Sequence, residues 1–338
     1  MMEAYLYKKL SDRKIQCQNC AHYCVILPGK RGICGVRENI NGKLYSLVYG
    51  KAVAIHIDPI EKKPFFHFLP GSYSLSVATV GCPFSCKNCQ NWDISQGPKL
   101  TGKIEGEDVS PEEIVEMAKK YKLPSISYTY TDPVVSSEYA LETMKLAKKA
   151  GLKNNWVTNG FLSKEVLELV APYLDAANVD LKGFSEEFYQ RNCGGRLQPV
   201  LDTLIGMKQK KIWVEITTLV IPTLSDSEQM FRDIAKFIKE ALDIETPWHI
   251  SQFSGAISWK LQHLADTPVE TLEKAYKIGK AAGLKYVYTG NVPGLLSEDT
   301  FCPKCGNLAI DRANYIIHRH DKEGKCPKCG ESLNLILF

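Results

Sequence analysis

The chain has 338 residues and no run of about eighteen apolar residues, so no helix is expected to span a membrane. It also lacks a dominant charge. Forty-two Lys and Arg against 38 Asp and Glu leave a net charge of +4, too mild for a protein built around nucleic acid, and the basic residues are scattered among acids. Internal repeats and low-complexity segments are absent. The opening residues, MMEAYLYKKLSDRK, have neither the apolar core nor the small-residue cleavage site of a secretory signal, so a cytoplasmic address is expected. What remains is an ordinary globular composition, 44% apolar and 24% charged, long enough for a large α/β core with appendages.

Against that background the 12 cysteines carry the information. They fall into three groups and one single: Cys17, Cys20, Cys24 and Cys34; Cys82, Cys86 and Cys89; Cys302, Cys305, Cys326 and Cys329; and Cys193 alone. Gaps of two or three residues suit one metal centre better than disulfides between distant points, although pairing is the alternative.

Residues 1–71 are rich in Cys, Gly, Pro and Lys and weakly periodic, which marks a small Cys-rich module with short strands near 43–49 and 52–57. From about residue 72 to 294 the pattern alternates. Strands are predicted at 74–80, 125–130, 155–158, 177–181, 212–221, 248–253 and 285–288. The helices between them include one opened by the capping box Ser110-Pro-Glu-Glu, with proline at its first position. Glycines Gly151 and Gly283 stand where helices should end. Six or seven such units predict an α/β fold of the partial (β/α)6, TIM-like barrel type, with an open sheet as the alternative. Residues 295–338 return to a loop-rich, Cys-rich composition and form a third module.

The central signal is GCPFSCKNC at 81–89, directly after the first predicted barrel strand. Three thiolates on one short loop can hold three irons of a [4Fe-4S] cluster and leave the fourth open, as catalytic metal sites do. A structural zinc site with a fourth ligand from elsewhere is the alternative. The C-x3-C-x2-C spacing resembles the radical S-adenosylmethionine (SAM) superfamily signature. The longer run CPFSCKNCQNWDISQ from Cys82 to Gln96, preceded by DPIEKKP at 58–64 and Pro70-Gly71, resembles the pyruvate formate-lyase activase-like branch. Within that branch it resembles the "AmmeMemoRadiSam system" radical SAM family.

The resemblance implies an enzyme in which the open iron chelates SAM. One electron then yields a 5'-deoxyadenosyl radical that abstracts hydrogen from a substrate. It also implies a low-potential electron donor such as ferredoxin or flavodoxin, a protein substrate if the chain is a glycyl radical activase, and a pathway link to AMMECR1-like and Memo-like proteins. Modification of a small molecule, peptide or RNA is the competing chemistry.

Cofactor-binding candidates fall at the ends of successive barrel strands, where such folds place their sites. Asp132, in YTYTDP, stands where relatives hold the SAM ammonium; a turn-forming Asp before Pro133 is the plain alternative. Thr158 and Asn159 match a family turn near SAM, with a plain connection from strand to helix as the alternative. Asp180 and Lys182 share one side of a strand end by alternation, facing SAM or forming a rim ion pair. His249 opens the sixth strand, where a core hydrogen-bonded histidine is equally expected. Asn291, in the loop 288–294, could close around adenine, with a simple exit turn as the alternative. Asn88 stands where these loops usually carry an aromatic residue, and Val157 where an acidic one often precedes the turn.

The tail pair CPKCG and CPKCG, at 302–306 and 326–330, predicts a tetrahedral ribbon site at Cys302, Cys305, Cys326 and Cys329, with zinc favoured over rubredoxin-like iron. The set Cys17, Cys20, Cys24 and Cys34 offers zinc or a second cluster, with zinc slightly favoured and His22 able to replace one thiol. Cys193 reads as an ordinary thiol, with a role in a substrate loop as the alternative. A different class, a metal-stapled scaffold binding nucleic acid or protein, would put basic residues beside the knuckles, as Lys304, Lys325 and Lys328 do.

Overall fold

The structure is a computed structural model that describes residues 1–292, 296–313 and 315–338. Pro293, Gly294 and the expected boundary at 294/295 lie outside the described residues. The centre is one eight-stranded sheet: β1 (Ala54–Pro59), β2 (Tyr73–Ala78), β3 (Ser125–Tyr128), β4 (Lys153–Thr158), β5 (Ala176–Asp180), β6 (Trp213–Val220), β7 (Trp248–Gln252) and β8 (Val287–Gly290). Spatial order follows chain order from β1 to β8. β2 to β8 run parallel, and only the edge strand β1 is antiparallel to its neighbour β2. Among the described residues no ladder joins β8 back to β1, so the sheet is an open, partial barrel.

The seven parallel strands fall where alternating apolar runs place them. β1 is different: it lies in the stretch the sequence groups with the N-terminal module, yet it pairs with β2 through six residues, from Ala54 with Ala78 to Pro59 with Tyr73. The short strand expected near 52–57 is present at Ala54–Pro59, with two exposed and two half-exposed residues before Asp58, as suits a sheet edge.

The helices between strands are α1 (Trp92–Thr101), α2 (Pro111–Lys120), α3 (Ser137–Lys149), α4 (Lys164–Val170), α5 (Gln198–Gln209), α6 (Glu228–Phe237) and α7 (Val269–Ala281). α2 starts with the full capping box between Ser110 and Glu113. Ser163 and Ser227 cap α4 and α6 with their side chains alone, accepting from Val166 N and Met230 N. Gly151 and Gly283, at φ of 78° and 96°, end their helices in the left-handed conformation that glycine adopts without strain. The core between helices and sheet holds Trp156, Phe231, Ile234 and Trp248, all fully buried. No helix among the described residues is long and apolar enough to cross a membrane.

The two chain ends dock at opposite ends of the barrel. The first module forms two three-stranded sheets, Tyr7–Lys9 with Ile15–Cys17 and Val25–Ile26, and Met2–Glu3 with Lys43–Ser46 and Arg37–Ile40. It packs on the C-terminal strand ends: Ala21 N donates to Phe161 O at 3.2 Å, and Asn19 donates to Val134 O. The tail builds a three-stranded sheet, Thr300–Phe301, Leu308–Ala313 and Ile316–Arg319, and closes the other end. Leu69 N donates to Ile336 O and Ile336 N to His67 O, each at 2.8 Å.

A candidate radical SAM centre at the strand ends

The cysteine loop 81–89 begins where β2 stops. Gly81 turns the chain at φ 101°, and a Cβ there would stand 2.7 Å from Val36 Cγ1, so only glycine fits. Gly81 N donates to Ile94 O in α1 at 3.0 Å. On the far side, Ser85 N and Lys87 N donate to Cys193 O and Asn192 O at 2.8 and 2.9 Å. Trp259 N and Lys260 N donate to Cys89 O and Lys87 O at 3.1 and 2.8 Å. From α1, Gln96 Nε2 and Lys99 Nζ reach Phe84 O at 3.1 and 2.6 Å. A Cβ on Gly195 would meet the Phe84 ring at 2.2 Å, which explains the Cys193-Gly-Gly sequence as a close approach to this loop.

The loop is thus held rigid by its backbone while its thiols are left to ligate. Cys86 is buried, and Cys82 and Cys89 are half-buried. Burial pushes the Cys82 thiol well up, and the adjoining Cys193 thiol together with burial does the same to Cys86. Such thiols become thiolates when a metal supplies the compensating charge. The surroundings fit that state: Asn159 Nδ2 lies 3.7 Å from Cys82 Sγ, and Ser95 Oγ lies 3.3 Å from Cys89 Sγ. Soft sulfur donors, nearby hydrogen-bond donors and two lysines, Lys99 and Lys182, suit an anionic iron–sulfur group.

The strand-end candidates come together in part. Asp132 is buried, and its carboxylate accepts from Val134 N at 3.0 Å, Thr158 Oγ1 at 3.0 Å and Asn159 N at 2.8 Å. Burial lifts its pKa to about 6 in spite of those donors. Asp132 therefore clamps the Thr158-Asn159 turn, which in turn reaches Cys82. Three of about four acceptor positions on the carboxylate are filled from within the chain. Lys182 Nζ and Asp180 Oδ2 form an ion pair at 2.8 Å. Burial alone would lower the Lys182 pKa, but Asp180 and the Cys86 thiol raise it well above the usual lysine range. Both residues leave the end of β5 on one side while Leu181 is fully buried.

Two candidates are placed elsewhere. His249 points into the closed end of the barrel, its Nε2 2.7 Å from Glu215 Oε2, its ring stacked on Tyr288 with centroids 5.3 Å apart. Glu215 also accepts from Phe66 N, His67 N, Phe68 N and Trp213 Nε1 at 2.9 to 3.1 Å. This is a satisfied core histidine, because residue 249 lies one position into β7, far from its C-terminal end. Asn291 is exposed on the rim, with Nδ2 donating to Gln252 O at 3.1 Å. Asn88 is taken up by Asn192, 2.8 Å away; the aromatic pair beside the loop is Trp92 on Trp259, 6.2 Å between centroids at 7°.

A polar cluster missing from the sequence reading lines the barrel interior. Asp58 accepts from Lys62 Nζ at 2.8 Å, Lys63 Nζ at 2.6 Å and Ser76 Oγ at 2.7 Å, and from the Tyr130 hydroxyl. Burial opposes ionisation of Asp58, but these donors hold it well below the carboxylate range. Burial lowers Lys63 to about 8. The signal was the dense charge in DPIEKKP, a stretch read only for its resemblance.

At the tail, the sulfurs of Cys302, Cys305, Cys326 and Cys329 lie within 4.8 Å of one another. Gly306 N and Gly330 N donate back to Cys302 O and Cys326 O, both at 2.9 Å, the two knuckles of a ribbon.

Residues 76–238 match the family described as "Radical SAM superfamily", the segment that carries the cysteine loop and five of the parallel strands. The whole chain is 44% identical over 340 residues to an uncharacterised protein of Methanocaldococcus jannaschii, covering 100% of both. The chain belongs to the radical SAM superfamily and is an enzyme. It is also 22% identical over 182 residues to a pyruvate formate-lyase-activating enzyme of Clostridium pasteurianum, covering 50% of this chain and 72% of that one. A radical SAM methyltransferase structure from Sphaerobacter thermophilus shares the fold at a TM-score of 0.51 and 12% identity, over 68% of this chain and 71% of the other.

Proposed function

We propose that the chain reductively cleaves SAM at a cluster held by Cys82, Cys86 and Cys89, in the manner of an activating enzyme that takes hydrogen from a protein substrate. The observation that carries the reading is the loop itself: three thiols at the end of β2, their backbone fixed by residues 192–193, 258–260 and α1. A bound [4Fe-4S] cluster with SAM on its open iron supplies one-electron cleavage of the sulfonium and a radical able to abstract hydrogen.

The protein's own residues do the holding. Lys182, kept cationic by Asp180, faces the anionic SAM carboxylate or the cluster; Asp132 positions Thr158 and Asn159 beside Cys82 and offers its last acceptor position to the ammonium. Asp58, Lys63 and Tyr130 line the interior below, where a substrate segment would enter a site shielded from water. The activase-like choice of substrate is supported by the relative named as an activating enzyme, and an electron donor of the flavodoxin or ferredoxin class follows from the one-electron step. A cytoplasmic setting and a pathway shared with AMMECR1-like and Memo-like proteins rest on the sequence alone.

The test is anaerobic reconstitution with iron and sulfide, reduction, and assay for 5'-deoxyadenosine from SAM. Production that depends on each of the three cysteines is the expected result. Native-rate production by a Cys82/Cys86/Cys89→Ala variant would overturn the reading.

A further inference from the structure

The two ends of the chain each present four cysteines, and their geometry differs. In the tail, Cys302 Sγ and Cys329 Sγ are 3.6 Å apart, as are Cys305 Sγ and Cys326 Sγ. That approaches the edge of a tetrahedron around one zinc, about 3.8 Å for Zn–S bonds of about 2.3 Å. At the N-terminus, Cys17, Cys20, Cys24 and Cys34 all line one cavity together with Asn19, Arg37 and Val134. Among the described residues, however, no three of those sulfurs come within 4.8 Å of one another. Four thiols facing a common space, yet too spread for a single ion, suit a polynuclear centre in which each thiolate binds its own iron.

A second observation concerns Arg37, which lines the same cavity and is 1% exposed. Its Nη1 and Nη2 are paired with Glu138 at 3.0 and 2.5 Å, but its Nε is buried without a partner. A buried orphan donor is costly and calls for an acceptor. Thiolate and sulfide sulfurs of an iron–sulfur cluster are acceptors of that kind.

We infer that Cys17, Cys20, Cys24 and Cys34 hold a second [4Fe-4S] cluster, with Arg37 Nε donating to one of its sulfurs. This site has four protein ligands and no open iron, so it carries electrons rather than binding substrate. It shares a wall with the Cys82 loop: His22 Nε2 lies 3.0 Å from Pro83 O, and a Cβ on Gly81 would stand 3.2 Å from Cys34 O. Zinc, slightly favoured by the cysteine spacing, is the assignment this geometry argues against.

The experiment counts metals in the full chain carrying Cys82→Ala, Cys86→Ala and Cys89→Ala, reconstituted anaerobically with iron and sulfide. About four irons and four acid-labile sulfides per chain should remain. Adding Cys20→Ser and Cys34→Ser should remove them. Zinc with no labile sulfide at these cysteines would overturn the inference. Where the triple variant does not fold, Mössbauer spectroscopy of the wild-type chain serves instead: about eight irons in two cluster environments supports it, and about four irons in one overturns it. Arg37→Lys, which keeps the charge toward Glu138 but lacks Nε, should shift the electron paramagnetic resonance of the remaining cluster at constant iron content. An unchanged spectrum would remove Arg37 from the proposal. Failure of the Cys82 reading would leave the count in the triple variant as expected, so the two readings fail separately.

Discussion

The two ends of the barrel are built on opposite logic. At the C-terminal ends of the strands, free thiols converge with charged groups: Lys99 and Lys182 stand beside Cys82, Cys86 and Cys89, and Arg37 Nε is buried without a partner beside the N-terminal thiols. At the other end the polar groups form a dense network, although Glu61 Oε2, the Tyr286 hydroxyl and Arg312 Nε are buried without a partner. Glu215 takes five donors. Arg312 from the tail donates to Phe66 O and Thr300 Oγ1 at 2.8 and 2.7 Å, and His67 Nε2 lies 2.7 Å from the Tyr288 hydroxyl. A hydrogen-bonded network rigidifies, while thiols gathered on one loop offer soft ligands to a metal. The difference teaches that neither polarity nor an unpartnered donor alone marks a site; a group of free thiols beside charged donors does.

The largest effect should come at the open end. Any single Cys82→Ala, Cys86→Ala or Cys89→Ala change should reduce 5'-deoxyadenosine formation to background while circular dichroism stays native, because these side chains carry no core packing comparable to Trp156 or Trp248. Next, at the closed end, Cys302→Ser with Cys326→Ser should loosen the tail, since metal binding and local folding are linked. Limited proteolysis after residue 300 should accelerate while the iron chromophore of the Cys82 loop persists; loss of that chromophore would show the two ends to be one cooperative unit.

The closed end should also fail first in acid. Burial holds His67 near a pKa of about 4, so as pH falls below about 6.5 the unfolded chain takes up a proton that the folded chain refuses, and stability declines. Glu215 is lowered to about 2 by His249, His67 and the backbone N–H of Phe66, which outweigh its burial. Its contribution is complete above about pH 4.5 and is lost as pH falls toward 2. Urea unfolding between pH 7 and 4 should show the His67 part, and His67→Gln should flatten it.

A smaller effect is expected in the SAM subsite. Asp132→Asn replaces an acceptor of three hydrogen bonds by a group that must turn a donor toward one of them. SAM affinity of the reconstituted protein should fall about ten- to a hundredfold, with about 1.5–3 kcal/mol lost per charge-assisted bond. Asp180→Asn should act in the same direction but more weakly, because Asp180 reaches SAM only through Lys182. Unchanged affinity in both variants would make the two carboxylates structural, as Glu215 is at the other end.

Much of this architecture was legible residue by residue. Strand–helix alternation marked all seven parallel strands, and the capping box at Ser110 marked the start of α2, because periodicity and capping are set within a few residues. The edge strand Ala54–Pro59 is expected near 52–57 but grouped with the N-terminal module, because its pairing with Tyr73–Ala78 is made only in the folded sheet. Helix α1 escaped, hidden in a stretch read for its cysteines. Among the site candidates, Asp132, Thr158, Asn159, Asp180 and Lys182 do gather near the loop. His249 does not, because position along a strand decides which end of a barrel a side chain meets, and an error of three residues changes the end.

The sequence by itself determined the cysteine spacings, and with them the loop, the knuckles and the superfamily, because ligands on one short segment need no distant partner. Only the tertiary structure decided what surrounds them. Arg37 meets Glu138 across 101 residues, and His67 meets Tyr288 across 221. The separation of the N-terminal sulfurs depends on how that module seats on Val134 and Phe161. Contacts of such range follow from packing of the whole chain, and no local pattern encodes which buried group is left with a hydrogen bond still to make.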